Sequence, residues 1–290
     1  MLTPMDKPGT APYPAATWRL LHSPLAQGAA NMAIDEALLR AVAEGGAPPT
    51  LRFFGWTPPC LSLGYAQPAA EVDRQRLAQF GYGLVRRPTG GRAILHTDEL
   101  TYSIIAPMDE PRVRGGVMES YQQLSAGLLA GLAQLGLNVR ADKEYSPAEA
   151  ASVKGPVCFE VPSNYEITVG TGGQPRKLLG SAQVRKQGVV LQHGTLPLTG
   201  DIGRICDALV FDSEAERQRV RARVRARATT VADVIGREVS WSAAAAALAQ
   251  GFAKALNLTW QPASLAPAEA ALAEQLRVEK YATDAWNARV

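Results

Sequence analysis

A glycine-rich turn in the middle of the chain constrains the fold more than any other feature. Gly170-Thr171-Gly172-Gly173-Gln174-Pro175 separates two segments, Tyr165–Val169 and Lys177–Val184, the first of which alternates apolar with polar residues. A strand pattern broken by residues that tolerate positive φ, then by a proline, is the signature of a β-hairpin. With the turn centred between Gly172 and Gly173, Thr168 faces Lys177 across the ladder. Cys158 lies ten residues before Thr168. A straight strand would place it on the order of 33 Å away, at ~3.3 Å per residue. Pro162 lacks a ladder donor and restricts Val161, so the segment Ala151–Ser163 is expected to be a loop that folds back over the hairpin.

That loop carries the best nucleophile of the chain. A free thiol is only slightly ionised near neutral pH, so a catalytic cysteine needs a nearby cation, a helix N-terminus or a general base. Lys177 is the local cation. Lowering a thiol pKa by one unit takes about 1.4 kcal/mol of differential interaction, which a neighbouring ammonium supplies. Two plainer readings stand beside these. Cys158 is equally a small buried hydrophobe, and Lys177 a solvated charge after a turn. Cys60 beside Pro59 and Leu61, and Cys206 after Ile205, read as core residues.

The composition is that of a globular protein. Its 290 residues, 47% of them hydrophobic, fill a sizeable core. Thirty basic against 27 acidic residues leave a net charge of +3, too little for a general nucleic-acid footprint. Residues 1–16 are rich in Pro, Ala and Gly without an apolar run, so a flexible leader is expected rather than a signal peptide or membrane span. Three cysteines without paired or metal-ligand spacing suit a reducing cytoplasm and predict no metal site.

Elsewhere the periodicities predict a helix capped by Asn31 and running to about Glu44, β segments at Leu51–Phe54 and Cys60–Tyr65, and a helix from about Ala69 to Phe80. Gly83–Arg87 and Ala93–Ile105, flanking Pro88-Thr89-Gly90-Gly91, read as a second strand-turn-strand unit. Val117–Leu135 has a helical apolar stripe, Val189–Leu198 continues the sheet, and the chain turns mostly helical from Asp201. Strands interrupted by helices without regular βαβ alternation favour an α+β fold in a single domain, 17–290.

Several stretches resemble the cysteine-dependent octanoyltransferases of lipoate assembly, which belong with the biotin and lipoate protein ligases in one superfamily. They are Cys158-Phe159, Pro162-Ser163-Asn164-Tyr165-Glu166-Ile167, Lys177-Leu178-Leu179-Gly180-Ser181-Ala182-Gln183 and Leu191-Gln192-His193-Gly194. Upstream, Asn31–Leu39 and Arg86-Arg87-Pro88-Thr89-Gly90-Gly91-Arg92-Ala93-Ile94-Leu95-His96 match, as does the closing Lys280–Asn287. The resemblance implies a biotin synthetase-like, class II synthetase-like catalytic domain: a mixed sheet flanked by helices, with a helical C-terminal extension from about residue 201. It implies transfer of an octanoyl group from octanoyl acyl carrier protein to a lysine of a lipoyl domain, such as that of the glycine cleavage H protein or an oxoacid dehydrogenase subunit. Cys158 and Lys177 would be catalytic. Arg87, Gly90, Gly91, Arg92, His96, Gly180, Ser181, Ala182, His193 and Gly194 would bind substrate, with no cofactor, nucleic acid or membrane involved. The alternatives are an ATP-dependent lipoate-protein ligase and an octanoyl amidotransferase acting between lipoyl domains. The related ligases carry a third glycine where this chain has Arg92, which weakens an adenylate-binding reading.

Three features keep plainer explanations. The Gly90-Gly91 turn is either a close approach of backbone to substrate or an ordinary turn, and His96 and His193 are either pocket walls or satisfied structural histidines. Arg217, Arg219, Arg221, Arg223, Arg225 and Arg227 alternate with other residues. They read as a solvated helix face, as a docking surface for an acidic protein, or as a nucleic-acid contact with a steep salt dependence.

Overall fold

The computed structural model describes residues 13–141, 166–170 and 175–290. Cys158, its loop and the tip of the central turn lie outside the described residues, as does most of the expected leader. The last residues of that leader are tied down: Asn257 donates to the Tyr13 carbonyl at 2.9 Å, and Ala16 opens the first strand.

Eight strands form one mixed sheet. In chain order they are β1 (Ala16–His22), β2 (Thr50–Phe54), β6 (Glu99–Pro107), β7 (Val139–Ala141), β8 (Ile167–Val169), β9 (Arg176–Lys186), β10 (Val189–Pro197) and β11 (Leu258–Ala263), laid side by side as β11-β1-β2-β6-β10-β9-β8-β7. β1 runs parallel to β2 and β11, and the remaining neighbours are antiparallel. A second sheet, β4-β3-β5, is built from β3 (Cys60–Leu63), β4 (Gly83–Arg86) and β5 (Ile94–His96).

Side chains alternate between the two faces of a strand, and β6 shows the result. Tyr102, Ile104 and Ala106 join the core under the helices α3 (Val117–Gln134) and α6 (Trp241–Leu256), while Ile105 joins Leu38, Leu39 and Val42 of α1 (Gly28–Ala43) on the other face. The other helices are α2 (Arg74–Gln79), α4 (Glu214–Arg227), α5 (Val231–Ile235), α7 (Pro267–Leu276) and α8 (Asp284–Asn287). Cys60 and Cys206 are buried in the core, and burial pushes the Cys60 thiol up to about 12. No helix among the described residues is long and apolar enough to cross a membrane.

The central hairpin has the register read from the sequence: Thr168 pairs with Lys177, with a bulge between Ile167 and Thr168. Other expectations are corrected. Asn31 lies inside α1, where its amide bonds the Ala26 and Gly55 carbonyls and accepts from Arg52, so it has no free oxygen for capping. The segment 69–80 splits into a 3₁₀ turn and a short helix capped by Asp73, whose carboxylate accepts from Arg76 N–H. β4 and β5 do not pair with each other. β3 lies between them, parallel to β4 and antiparallel to β5, because the loop 87–93 wraps around the Arg87 guanidinium, which donates to the carbonyls of Ser62, Gly90 and Arg92. Within the helical C-terminal part, β11 extends the main sheet; Pro262 and flanking polar residues mask its pattern.

Candidate active site

The two sheets and α1 enclose a cavity of about 1040 Å³. Its floor follows β9 and β10. Ser181 and Gln183 on β9 are engaged on one face: Ser181 with the Tyr102 hydroxyl at 2.7 Å, and Gln183 with Ser120 and Gln192. The alternate residues Gly180, Ala182, Val184 and Lys186 therefore share the opposite face, beside Thr195, His193 and Leu191, to which the first three are paired. From the other side α1 contributes Met32, Glu36 and Leu39, a single stripe at helical spacing. All ten residues named from the sequence as substrate-binding candidates line this space.

Two buried networks hold the walls. His193 accepts or donates at both nitrogens, to Thr89 Oγ1 at 2.7 Å and to Asp35 Oδ2 at 3.3 Å. Asp35 in turn meets Arg52 at 2.8 Å and Ser103 at 2.9 Å. Burial alone would raise the Asp35 carboxyl, but hydrogen bonding from His193 and the Arg52 guanidinium hold it below its usual range. Burial outweighs the Asp35 contact at His193 and pushes the imidazole down. In the second network His96 stacks on Trp56, ring centroids 3.9 Å apart, and contacts Ser62 at 2.8 Å and Glu99 at 2.6 Å. Both histidines are thus wall and structure at once.

The Gly90-Gly91 turn approaches another backbone as well as the cavity. Gly91 has φ near +93°, and a Cβ on Gly64 would collide with its carbonyl, so the close approach requires glycine at both positions. Arg87 braces the turn from within, whereas Arg92 points to Glu71 at 3.7 Å.

Lys177 lies just beyond the Gly180 end of the floor. A Cβ on Gly180 would stand 2.8 Å from Lys177 Cε and 3.1 Å from Nζ, so the lysine stem crosses the space that a side chain would take. Its backbone is held from both sides, by Thr168 on β8 and by the Thr229 N–H, which donates to its carbonyl at 3.0 Å. Its ammonium donates to Glu166 Oε1 at 2.6 Å, and both side chains are buried. The sequence reading treated Lys177 as a lone cation and did not assign Glu166.

The C-terminal segment was also missed as a source of site residues. Lys280 and Trp286 line the cavity; Asn287 receives the Arg86 N–H at 2.7 Å, and Trp286 donates to the Arg86 carbonyl at 2.8 Å. Lys280 and Tyr281 both donate to Glu36 Oε2, at 2.5 and 2.6 Å. Burial works against the Glu36 charge, yet these donors and Arg40 hold its pKa down to about 2. Among the described residues no group of His, Cys, Asp and Glu side chains is arranged to hold a metal ion.

Comparison with known proteins agrees with this geometry. The lipoyl protein ligase A/B catalytic domain family matches residues 27–253. The chain belongs to this family. It is 44% identical to octanoyltransferase LipM of Kyrpidia tusciae over 94% of its own length and 99% of that protein's. It is likewise 44% identical to octanoyltransferase LipM of Symbiobacterium thermophilum, over 94% and 98%. Among solved structures it resembles the bipartite lipoate protein ligase from Thermoplasma acidophilum, with a TM-score of 0.78 at 25% identity, covering 94% of this chain and 96% of that one. The biotin/lipoate ligase-like fold expected from the sequence is therefore the fold of this chain.

Proposed function

We propose that this acyltransferase moves an octanoyl group from octanoyl acyl carrier protein to a lysine of a lipoyl domain, through a thioester on Cys158. The cavity floor carries the reading: beyond Gly180, where the Lys177 stem fills the place of a side chain, Ala182 keeps the floor open for a thioester, while Met32, Leu39, Trp56 and Leu191 offer apolar contact to an acyl chain. The Cys158 thiolate attacks the donor carbonyl, the carbon–sulfur bond to the carrier breaks, and the carrier leaves as its thiol after taking a proton. The acceptor lysine, as the free amine, then attacks the acyl-enzyme carbonyl. The amide bond forms, the bond to Cys158 breaks, and the proton of the amine returns to the thiol. In this mechanism the Lys177 ammonium favours the Cys158 thiolate and the oxyanion of each tetrahedral intermediate. Thioester to amide is downhill, so the reaction needs no ATP.

The test is octanoyl transfer to an isolated lipoyl domain with purified components. Product formed from octanoyl acyl carrier protein without ATP supports the reading. Transfer from free octanoate only when ATP is present would replace it with a ligase reaction, as the name of the Thermoplasma acidophilum lipoate protein ligase describes for that protein.

A further inference from the structure

The cavity floor is longer than an acyl chain needs. From Gly180 to Lys186 the strand extends about 20 Å at ~3.3 Å per residue, and its two ends differ in chemistry. The Gly180 end is small-chained and adjoins Lys177. At the other end Lys186, Lys280, Tyr65 and Trp286 all line the space. Arg289 caps them, its guanidinium 3.7 Å from the Tyr65 ring centroid and 4.3 Å from that of Trp286, and Lys280 Nζ is 4.1 Å from the same indole. Stacking fixes the plane of a guanidinium and leaves its edge to donate.

These cations press on one another. Burial lowers the Lys280 pKa, and Lys186 and Arg40 lower it further. Glu36 is the carboxylate facing the group, and it is already shared by Lys280, Arg40 and Tyr281. An octanoyl chain gains nothing from such a place, whereas an anion of unit charge relieves the repulsion.

We propose that Lys186, Lys280 and Arg289, with Tyr65 and Trp286, bind the phosphodiester of the arm that carries the donor thioester. The separation of the two ends is of the order of an extended phosphopantetheine arm, from the reacting sulfur beside Lys177 to the phosphate. This rests on the acyl-carrier donor of the proposed function.

Acyl-enzyme formation by the full chain, measured at low salt with octanoyl-pantetheine and octanoyl-phosphopantetheine, tests it. The wild type should show a kcat/KM about tenfold higher for the phosphorylated donor, the size of one charge-assisted contact. Lys186→Gln with Arg289→Gln should bring that ratio near one, and Lys186→Arg alone should keep it. A wild-type ratio of one, or a ratio unchanged in the double variant, overturns the proposal. Failure of both donors to acylate the wild type is a different result, which removes the transferase reading itself. If the double variant loses only an ATP-dependent transfer of free octanoate, the cations hold a nucleotide phosphate and the arm is not their ligand.

Discussion

The ion pair between Lys177 and Glu166 changes how this lysine acts. Breaking a buried ion pair from either side is costly, so Glu166→Gln and Lys177→Met should each lower stability by about 3 kcal/mol. Removing both charges together removes their mutual attraction and both desolvation costs at once. The double variant should therefore be markedly more stable in urea than the sum of the single losses predicts; strict additivity would show that the pair is not a unit. The pairing of Lys177 with Thr168 was legible in the turn, and Lys177 itself stood out as the local cation. Glu166, two positions before Thr168, was not singled out, because a bulge lies between Ile167 and Thr168 and pairing across it does not follow from spacing. His193 gives the second expectation at this scale. Burial depresses its pKa below 6.5, so the unfolded chain takes up a proton there before the folded one does. Stability should fall as pH drops below about 6.5 and keep falling down to the folded-state pKa of His193. His193→Asn should flatten that part of the profile and, by removing a hydrogen bond that helps hold the Asp35 carboxyl below its usual range, weaken the separate loss that protonation of Asp35 causes at lower pH. Denaturant midpoints measured across this range check both slopes.

Among elements, α4 separates the readings of the arginine run. Alternation every second residue reads as one stripe only on paper; a helix turns 100° per residue, so the stripe divides. Arg217 is buried and donates to the Leu209 carbonyl at 2.9 Å, Arg221 pairs with Asp207, and Arg225 pairs with Asp201 at 2.6 Å. Arg219, Arg223 and Arg227 are exposed. Arg217→Gln should therefore lower the urea midpoint. Arg219→Gln should leave it unchanged, yet slow acylation by the acidic carrier protein at low salt more than acylation by a small octanoyl thioester. Equal slowing with both donors would rule out docking. A second test lies in the crossing of α3 and α6. A Cβ on Gly131 would stand 2.7 Å from Leu248 Cα, and one on Gly251 would meet the Gly131 backbone. Gly251→Ala should cost about 1–3 kcal/mol through overpacking, read from thermal or urea unfolding. The apolar stripe of α3 was visible in the sequence. The glycines that let α6 approach it were not, since partner and crossing point are set by the fold.

At the scale of the whole molecule, the parts that sequence hid are those joined across long separations. Lys280 reaches Glu36 and Asn287 reaches Arg86 through pairings that local periodicity does not register, and β11 closes the edge of a sheet begun at Ala16. The helical extension expected after residue 201 is thus partly wall of the cavity. What was legible, strand β9 of the central hairpin and the Gly90-Gly91 loop, meets at one cavity, and the central claim is that a thioester forms on Cys158. Single-turnover mixing with octanoyl acyl carrier protein, without acceptor or ATP, followed by peptide mass analysis, tests it most directly. The account predicts one octanoyl group on the peptide containing Cys158 in the wild type and none in Cys158→Ala, with Cys60→Ala and Cys206→Ala labelled as the wild type is. Undiminished transfer to a lipoyl domain by Cys158→Ala, or an unlabelled wild type that still completes the transfer, would contradict it.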